Sequence, residues 1–169
     1  MNRIGTGYDV HRLVGGRPLI IGGVELEYHL GLEGHSDADV LTHALIDALL
    51  GAAGLGDLGS HFPAGDECYR NICSLKLLEE VKKMLDDRCW KLVNADLVLI
   101  AEAPKIAPFA RQIAENLAAV LDVSRSCINV KATTTEGLGF CGQGEGMAAQ
   151  AVVLIEKVAL PEPENHEAG

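Results

Sequence analysis

The hydrophobic period of this chain switches repeatedly between two and 3.6 residues, and that order restricts the fold more than any single motif. "RIGTGYDVHRL" opens as a strand, and "GRPLIIGGVELEY" follows as short apolar runs between turn glycines, the pattern of a hairpin or meander. "HSDADVLTHALIDALLGAAGLGD" then sets Val40, Leu41, Ala44, Leu45, Ala48 and Leu49 on one helical stripe. Ser36 or Asp37 is the expected N-cap, and Gly51 or Gly54 the expected stop. "ICSLKLLEEVKKMLDDRC" is a second helix, with Leu75, Leu78, Val81, Lys82 and Leu85 on one side. "KLVNADLVLIAEAP" is a strand, and "KIAPFARQIAENLAAVLDV" a helix starting near Ala107 or Pro108. "CINVKATTTE" and "MAAQAVVLIEK" are strands flanking the glycine-rich "GLGFCGQGEG". This order predicts an α+β fold, an α/β sandwich in which helices cover one face of a mixed sheet. The late strands are apolar on both faces, so the other face is expected to pack against further copies of the chain.

Length and charge narrow the function. The 169 residues suit one domain, expected over residues 1–158, with "ALPEPENHEAG" (159–169) as a disordered acidic tail. A formal net charge of -10 argues against nucleic acid or an anionic membrane as partner. An anionic small molecule would then need metals, backbone amides or a few local cations to hold it. The five cysteines form no CxxC pair, which argues against a disulfide framework or a thiolate zinc knuckle. Reduced thiols and the absence of a signal-peptide pattern lead to an expected cytoplasmic location.

Three groups of residues carry possible chemistry. Asp9 and His11, two apart on a strand, point to the same face. His43 sits among leucines on a helix, and a buried imidazole needs partners for both ring nitrogens. Asp39 and Asp47, four residues either side, are candidates to accept its second N–H. Two histidines and one carboxylate with a free fourth position make the donor set of a catalytic zinc site. The same residues would equally serve as a metal-free His–Asp hydrogen-bond network, and spacing does not separate the two. In "KATTTEGLGFCGQGEG", hydroxyls, loop amides and Glu136 suit phosphate oxygens and a hard divalent cation; a strand end and tight turn would need the same residues. Lys105, between two prolines, fits either a nucleotide contact or a solvated turn.

Taken in order, "GYDVH", "HSDADVLTHALIDALLGA", "DLGSHFP", "APK" and "KATTTEGLGFCGQGEG" resemble the 2-C-methyl-D-erythritol 2,4-cyclodiphosphate synthase family of the non-mevalonate isoprenoid pathway, from about Arg3 to Val158. The resemblance implies a mixed four-stranded sheet and a homotrimer with active sites between subunits. It implies zinc on Asp9, His11 and His43, and magnesium or manganese on Glu136 and the substrate diphosphate. Ala101, Ala103, Pro104, Lys105 and Ala107, with Ala132, Thr133 and Thr134, would surround the cytidine. Asp57, Leu58 and Gly59 would meet the ribose or erythritol from the adjacent subunit. His35, Ser36, Phe62, Pro63 and Asp66 would line the methylerythritol region. Thr135, Phe140 and Gln143 complete the implied substrate contacts, and His35 and Thr134 match positions credited with transition-state stabilisation. The implied reaction is cyclisation of 4-diphosphocytidyl-2-C-methyl-D-erythritol 2-phosphate with release of CMP. The chain departs from its relatives at Gln143, where a basic residue is common, and at Ala64, where aspartate is common. Rival readings are a zinc-dependent phosphohydrolase, which would release a linear product, and a binding protein that uses zinc only as a staple.

Overall fold

The computed structural model describes residues 1–158; the expected acidic tail lies outside the described residues. The elements are β1 (Asn2–Val14), β2 (Leu19–Ile21), β3 (Val24–Leu26), β4 (Gly31–Leu32), α1 (Val40–Ala53), α2 (Leu58–His61), α3 (Ser74–Asp86), β5 (Trp90–Ile100), α4 (Ala110–Leu121), β6 (Ile128–Thr133), α5 (Gly139–Gly142) and β7 (Gly146–Lys157). The main sheet runs β4-β1-β7-β5-β6, and β2 and β3 form a separate hairpin. β7 is antiparallel to both β1 and β5, whereas β5 and β6 are parallel and are joined through α4. The sheet therefore has five strands where four were expected. The fifth, β4, pairs only Gly31 and Leu32 with the end of β1, and two residues are too few to show a period.

Helices cover one face, as the element order predicts. The closest approach is between α1 and β1, and Gly5 and Gly7 make it possible. A Cβ on Gly7 would sit on the Ala44 carbonyl oxygen and 2.7 Å from the Ala48 nitrogen. α1 is buried on almost every side, not along one stripe, because β1 and β7 lie beneath it and α3 and the hairpin flank it; only Asp47 and Gly51 escape. In α3 the buried residues are Ser74, Leu77, Leu78, Val81 and Leu85. Lys82, expected on that side, turns outward and pairs with Asp86 at 2.6 Å.

The caps refine the boundaries. Gly54 ends α1 in the left-handed conformation at φ 73°. The N-cap is Asp39, not Ser36 or Asp37. Its carboxylate accepts the Thr42 N–H at 3.0 Å, the Thr42 hydroxyl at 2.8 Å and the Gly23 N–H at 2.8 Å, so it also ties the hairpin to α1. Asp39 is fully buried. Asp39→Ala orphans two backbone donors and one hydroxyl. It is expected to lower unfolding free energy by about 2–3 kcal/mol, read as a shifted urea midpoint.

The opposite sheet face carries Ile4, Tyr8, Val10 and Val152, which are 74%, 56%, 41% and 44% exposed. No helix among the described residues is long and apolar enough to cross a membrane.

Candidate metal centre

The inner face of β1 reads Gly5, Gly7, Asp9, His11. The glycines seat α1 on the strand. Asp9 and His11 continue along the same face to where the first turn of α1 presents His43. Asp9 Oδ2 lies 2.9 Å from His11 Nε2 and 3.1 Å from His43 Nδ1, and the two ring nitrogens are 3.1 Å apart. One donor atom from each residue falls within 4.8 Å of the others, so the three can hold a metal ion. The His43 side chain is 8% exposed and Asp9 25%, which leaves the cluster open on one side.

The donor chemistry fits a cation. His11 Nδ1 lies 2.6 Å from the Glu33 carbonyl, which can only accept, so Nδ1 carries a proton and Nε2 is the nitrogen that would bind a cation. Asp9 aims a carboxylate oxygen at the same point. Burial alone would raise the Asp9 pKa, but hydrogen bonds from His11 and His43 and their charges outweigh it and hold the carboxyl far below the usual range. Burial would lower His11; the hydrogen bond and charge of Asp9, with the Glu33 carbonyl, reverse this and raise it. Without a metal, the cluster therefore favours a proton on His11, and a divalent cation would supply the same positive charge. Because His11 is raised, proton competition begins above its ordinary value of 6.5. Affinity for an added divalent cation is expected to fall several-fold between roughly pH 8 and pH 6, as measured by competition with a chromophoric chelator.

Neither Asp39 nor Asp47 supports His43. Asp39 is occupied as the N-cap, and Asp47 accepts the Leu58 N–H at 2.7 Å. His43 Nε2 instead faces the Ser74 hydroxyl at 2.8 Å and the Ser36 hydroxyl at 3.2 Å. Arg17 fixes the adjoining loop by donating to the Gly34 carbonyl at 2.8 Å and the Ser36 carbonyl at 2.6 Å.

Beside the cluster, His35, Ser36, Leu58 and Phe62 line a cavity with His43, Ala64, Tyr69 and Leu77. Asp57 is the N-cap of α2, accepting the Ser60 N–H at 2.8 Å, and Gly59 is exposed in that helix. Pro63 is exposed; Asp66 caps a short 3-10 turn at residues 67–69, and its carbonyl meets His35 Nε2 at 2.9 Å.

A different cavity gathers Ala101, Pro104, Lys105, Ala107, Ala132, Thr133 and Thr134, with Ala103 exposed nearby. At its rim the Thr134 hydroxyl donates to Glu136 at 2.8 Å, and Glu136 takes a left-handed backbone at φ 54°. Glu102 holds this turn by accepting the Thr135 N–H at 3.0 Å. Phe140 is 40% exposed, and Gln143 closes α5 on the surface. The chain thus brings Asp9, His11 and His43 together beside His35 and Ser36, while the residues from Ala101 to Ala107 and Ala132 to Thr134 line a separate cavity. Sequence reasoning did not single out Ser74, Glu33 or Glu102. Each works through a contact distant in sequence, and no local pattern marks them.

Comparison with known proteins gives the family. The YgbB family profile matches residues 2–156. The 2-C-methyl-D-erythritol 2,4-cyclodiphosphate synthase of Desulfatibacillum aliphaticivorans is 56% identical over 91% of this chain and 99% of its own length. That of a Geobacillus species is 57% identical over 93% and 99%. The structure of Plasmodium falciparum IspF in complex with CDP superposes with a TM-score of 0.82 at 30% identity, covering 94% of this chain and 97% of the other. With the family profile spanning nearly every described residue, this chain belongs to the YgbB family, the family of the 2-C-methyl-D-erythritol 2,4-cyclodiphosphate synthases.

Proposed function

We propose that this protein converts 4-diphosphocytidyl-2-C-methyl-D-erythritol 2-phosphate to 2-C-methyl-D-erythritol 2,4-cyclodiphosphate with release of CMP, as a phosphorus–oxygen lyase. The observation that carries the reading is the Asp9–His11–His43 cluster, open on one side beside the cavity of His35 and Ser36. The CDP complex of the P. falciparum relative supports a cytidine nucleotide as ligand.

The attacking 2-phosphate is already ionised near neutral pH, so the chain needs no strong base and no Ser–His–Asp nucleophile. It must fold a flexible substrate and meet charge at phosphorus. Zinc on Asp9, His11 and His43, and magnesium or manganese on Glu136 and the diphosphate, would screen the phosphate charges when bound. The cavity of Ala101, Lys105 and Ala132 would seat the cytidine. Asp57, Gly59 and the wall from Phe62 to Asp66 would enclose the methylerythritol. His35 and Thr134 match positions credited with transition-state stabilisation, and each would exchange its present contact, the Asp66 carbonyl and the Glu136 carboxylate, for the substrate.

The working unit in this reading is a homotrimer. The exposed face bearing Ile4, Tyr8, Val10 and Val152 would be buried between copies. The metal cluster of one copy would then meet the nucleotide cavity of the next, which accounts for the two groups lining different cavities within one chain. Residues 1–158 would make up the catalytic domain, acting in the cytoplasm on a charged nucleotide.

The test is direct. Purified protein with zinc and magnesium is incubated with the proposed substrate, and phosphorus NMR follows the products. CMP and the cyclic diphosphate are expected in equal amounts. A linear phosphate product would support a hydrolase instead, and no turnover would defeat the assignment.

A further inference from the structure

We infer that Ser74 is a positioning residue for the metal centre, and that with Asp37 it keeps a proton on His43 Nε2, so that Nδ1 is the nitrogen that would bind a cation beside Asp9 and His11. This rests on the reading of those three residues as metal ligands. The argument is a count of protons. Ser74 opens α3 and is fully buried. Its N–H donates to Asp37 Oδ2 at 2.9 Å and its hydroxyl donates to Asp37 Oδ1. A hydroxyl has one proton, and here the carboxylate takes it. Towards His43 Nε2, at 2.8 Å, the Ser74 oxygen can therefore only accept. His43 must therefore carry a proton on Nε2, so Nδ1, which faces Asp9 Oδ2 at 3.1 Å, is the nitrogen left to exchange its proton for a cation.

Asp37 is itself fixed. Its carboxylate also accepts the Asp39 N–H at 3.2 Å, and its own N–H donates to the Ile72 carbonyl at 3.0 Å. The chain Asp37–Ser74–His43 thus has the logic of a carboxylate orienting a metal-bound imidazole, with a serine hydroxyl inserted between them. It also links the ligand to the first turn of α3, so the docking of that helix and the aim of His43 are one event. Ser36 lies farther from Nε2, at 3.2 Å, and its oxygen already accepts the Ala38 N–H at 3.1 Å. With no carboxylate to orient its proton, it is the natural control.

Two measurements on the full chain test this. Nitrogen-15 NMR of metal-free protein is expected to show a proton on His43 Nε2; an Nε2 without a proton would overturn the inference. Zinc affinity by chelator competition is expected to fall about 10–100-fold in Ser74→Ala, to recover to within a few-fold of wild type in Ser74→Thr, and to change less in Ser36→Ala. Should Ser74→Ala fail to fold by circular dichroism, Asp37→Asn serves, with a smaller loss and a mixed tautomer expected. A folded Ser74→Ala that binds zinc within about twofold of wild type overturns the inference but leaves the ligand set standing. Wild type that binds no zinc overturns both. A merely structural role for Ser74 would lower the melting temperature without moving the His43 tautomer.

Discussion

Under the proposed function, His43→Ala is expected to reduce formation of the cyclic product by about a hundredfold to a thousandfold and to abolish binding of added zinc. Only Asp9 and His11 remain after the change, and two ligands cannot define a tetrahedral site with one free position. In the proposed reaction the cation would screen a crowded pair of phosphates, and removal of a single preorganised charge-stabilising group commonly costs about a hundredfold to a thousandfold. The helix itself should survive. Alanine is the best helix former, and the other buried residues of α1, Leu41, Ala44, Leu45, Ala48 and Leu49 among them, are unchanged. A stability loss of about 1–3 kcal/mol is still expected, because Ser74 and Ser36 lose their imidazole partner inside the fold. Metal content by plasma mass spectrometry, product by phosphorus NMR and helicity by circular dichroism separate these effects. Retained zinc with retained turnover would remove the metal centre from the proposed function. Lost zinc with retained turnover would make the metal a staple. Asp9→Asn, which keeps the shape and removes the charge, should give a similar loss of zinc with less loss of stability.

The sequence made this site legible only in part, and the boundary has a physical cause. Strand period two puts Asp9 and His11 on one face without any knowledge of the fold. The position of His43 inside an apolar helix announces that its nitrogens need partners. Which partners they are was not legible. The four-residue spacing to Asp39 holds within a helix, but Asp39 lies just before α1, so its carboxylate turns back to the first-turn N–H groups. The true partner, Ser74, is 31 residues away and arrives because α3 docks against α1. Similarly, β4 is too short to carry a pattern, and Glu102 reads as one more exposed acid until the turn at Thr135 folds onto it. Motifs local in sequence specified the chemistry, and contacts between distant elements supplied its support.

Gly7→Ala is the substitution expected to damage the fold most for its size. One methyl group is added, yet it has no place to go. The Cβ would meet the α1 backbone at Ala44 and Ala48, and a helix backbone cannot rotate aside as a side chain can. β1 cannot simply slide, because Gly7 is in register with Ala151 in the middle of the β1–β7 ladder. Either the sheet bows outward or α1 lifts. The cost is expected near the upper end for an overpacked core, about 3 kcal/mol, with a melting temperature lower by roughly 6–12 °C. The second consequence distinguishes this clash from ordinary destabilisation. Gly7 and Asp9 are neighbours on one face, and Ala44 follows His43 directly in α1. A lifted helix therefore carries His43 away from Asp9 and His11, so zinc affinity should fall even at temperatures where the variant is folded. Gly51→Ala provides the contrast. Gly51 lies in the same helix, exposed, and a Cβ there meets nothing within 4 Å. That change should raise stability by about 0.5–1 kcal/mol through helix propensity alone and leave zinc binding untouched. Opposite signs for the same added methyl would show that the glycines of β1 are spacers that bring α1 close enough for one helix residue to complete a site begun on a strand.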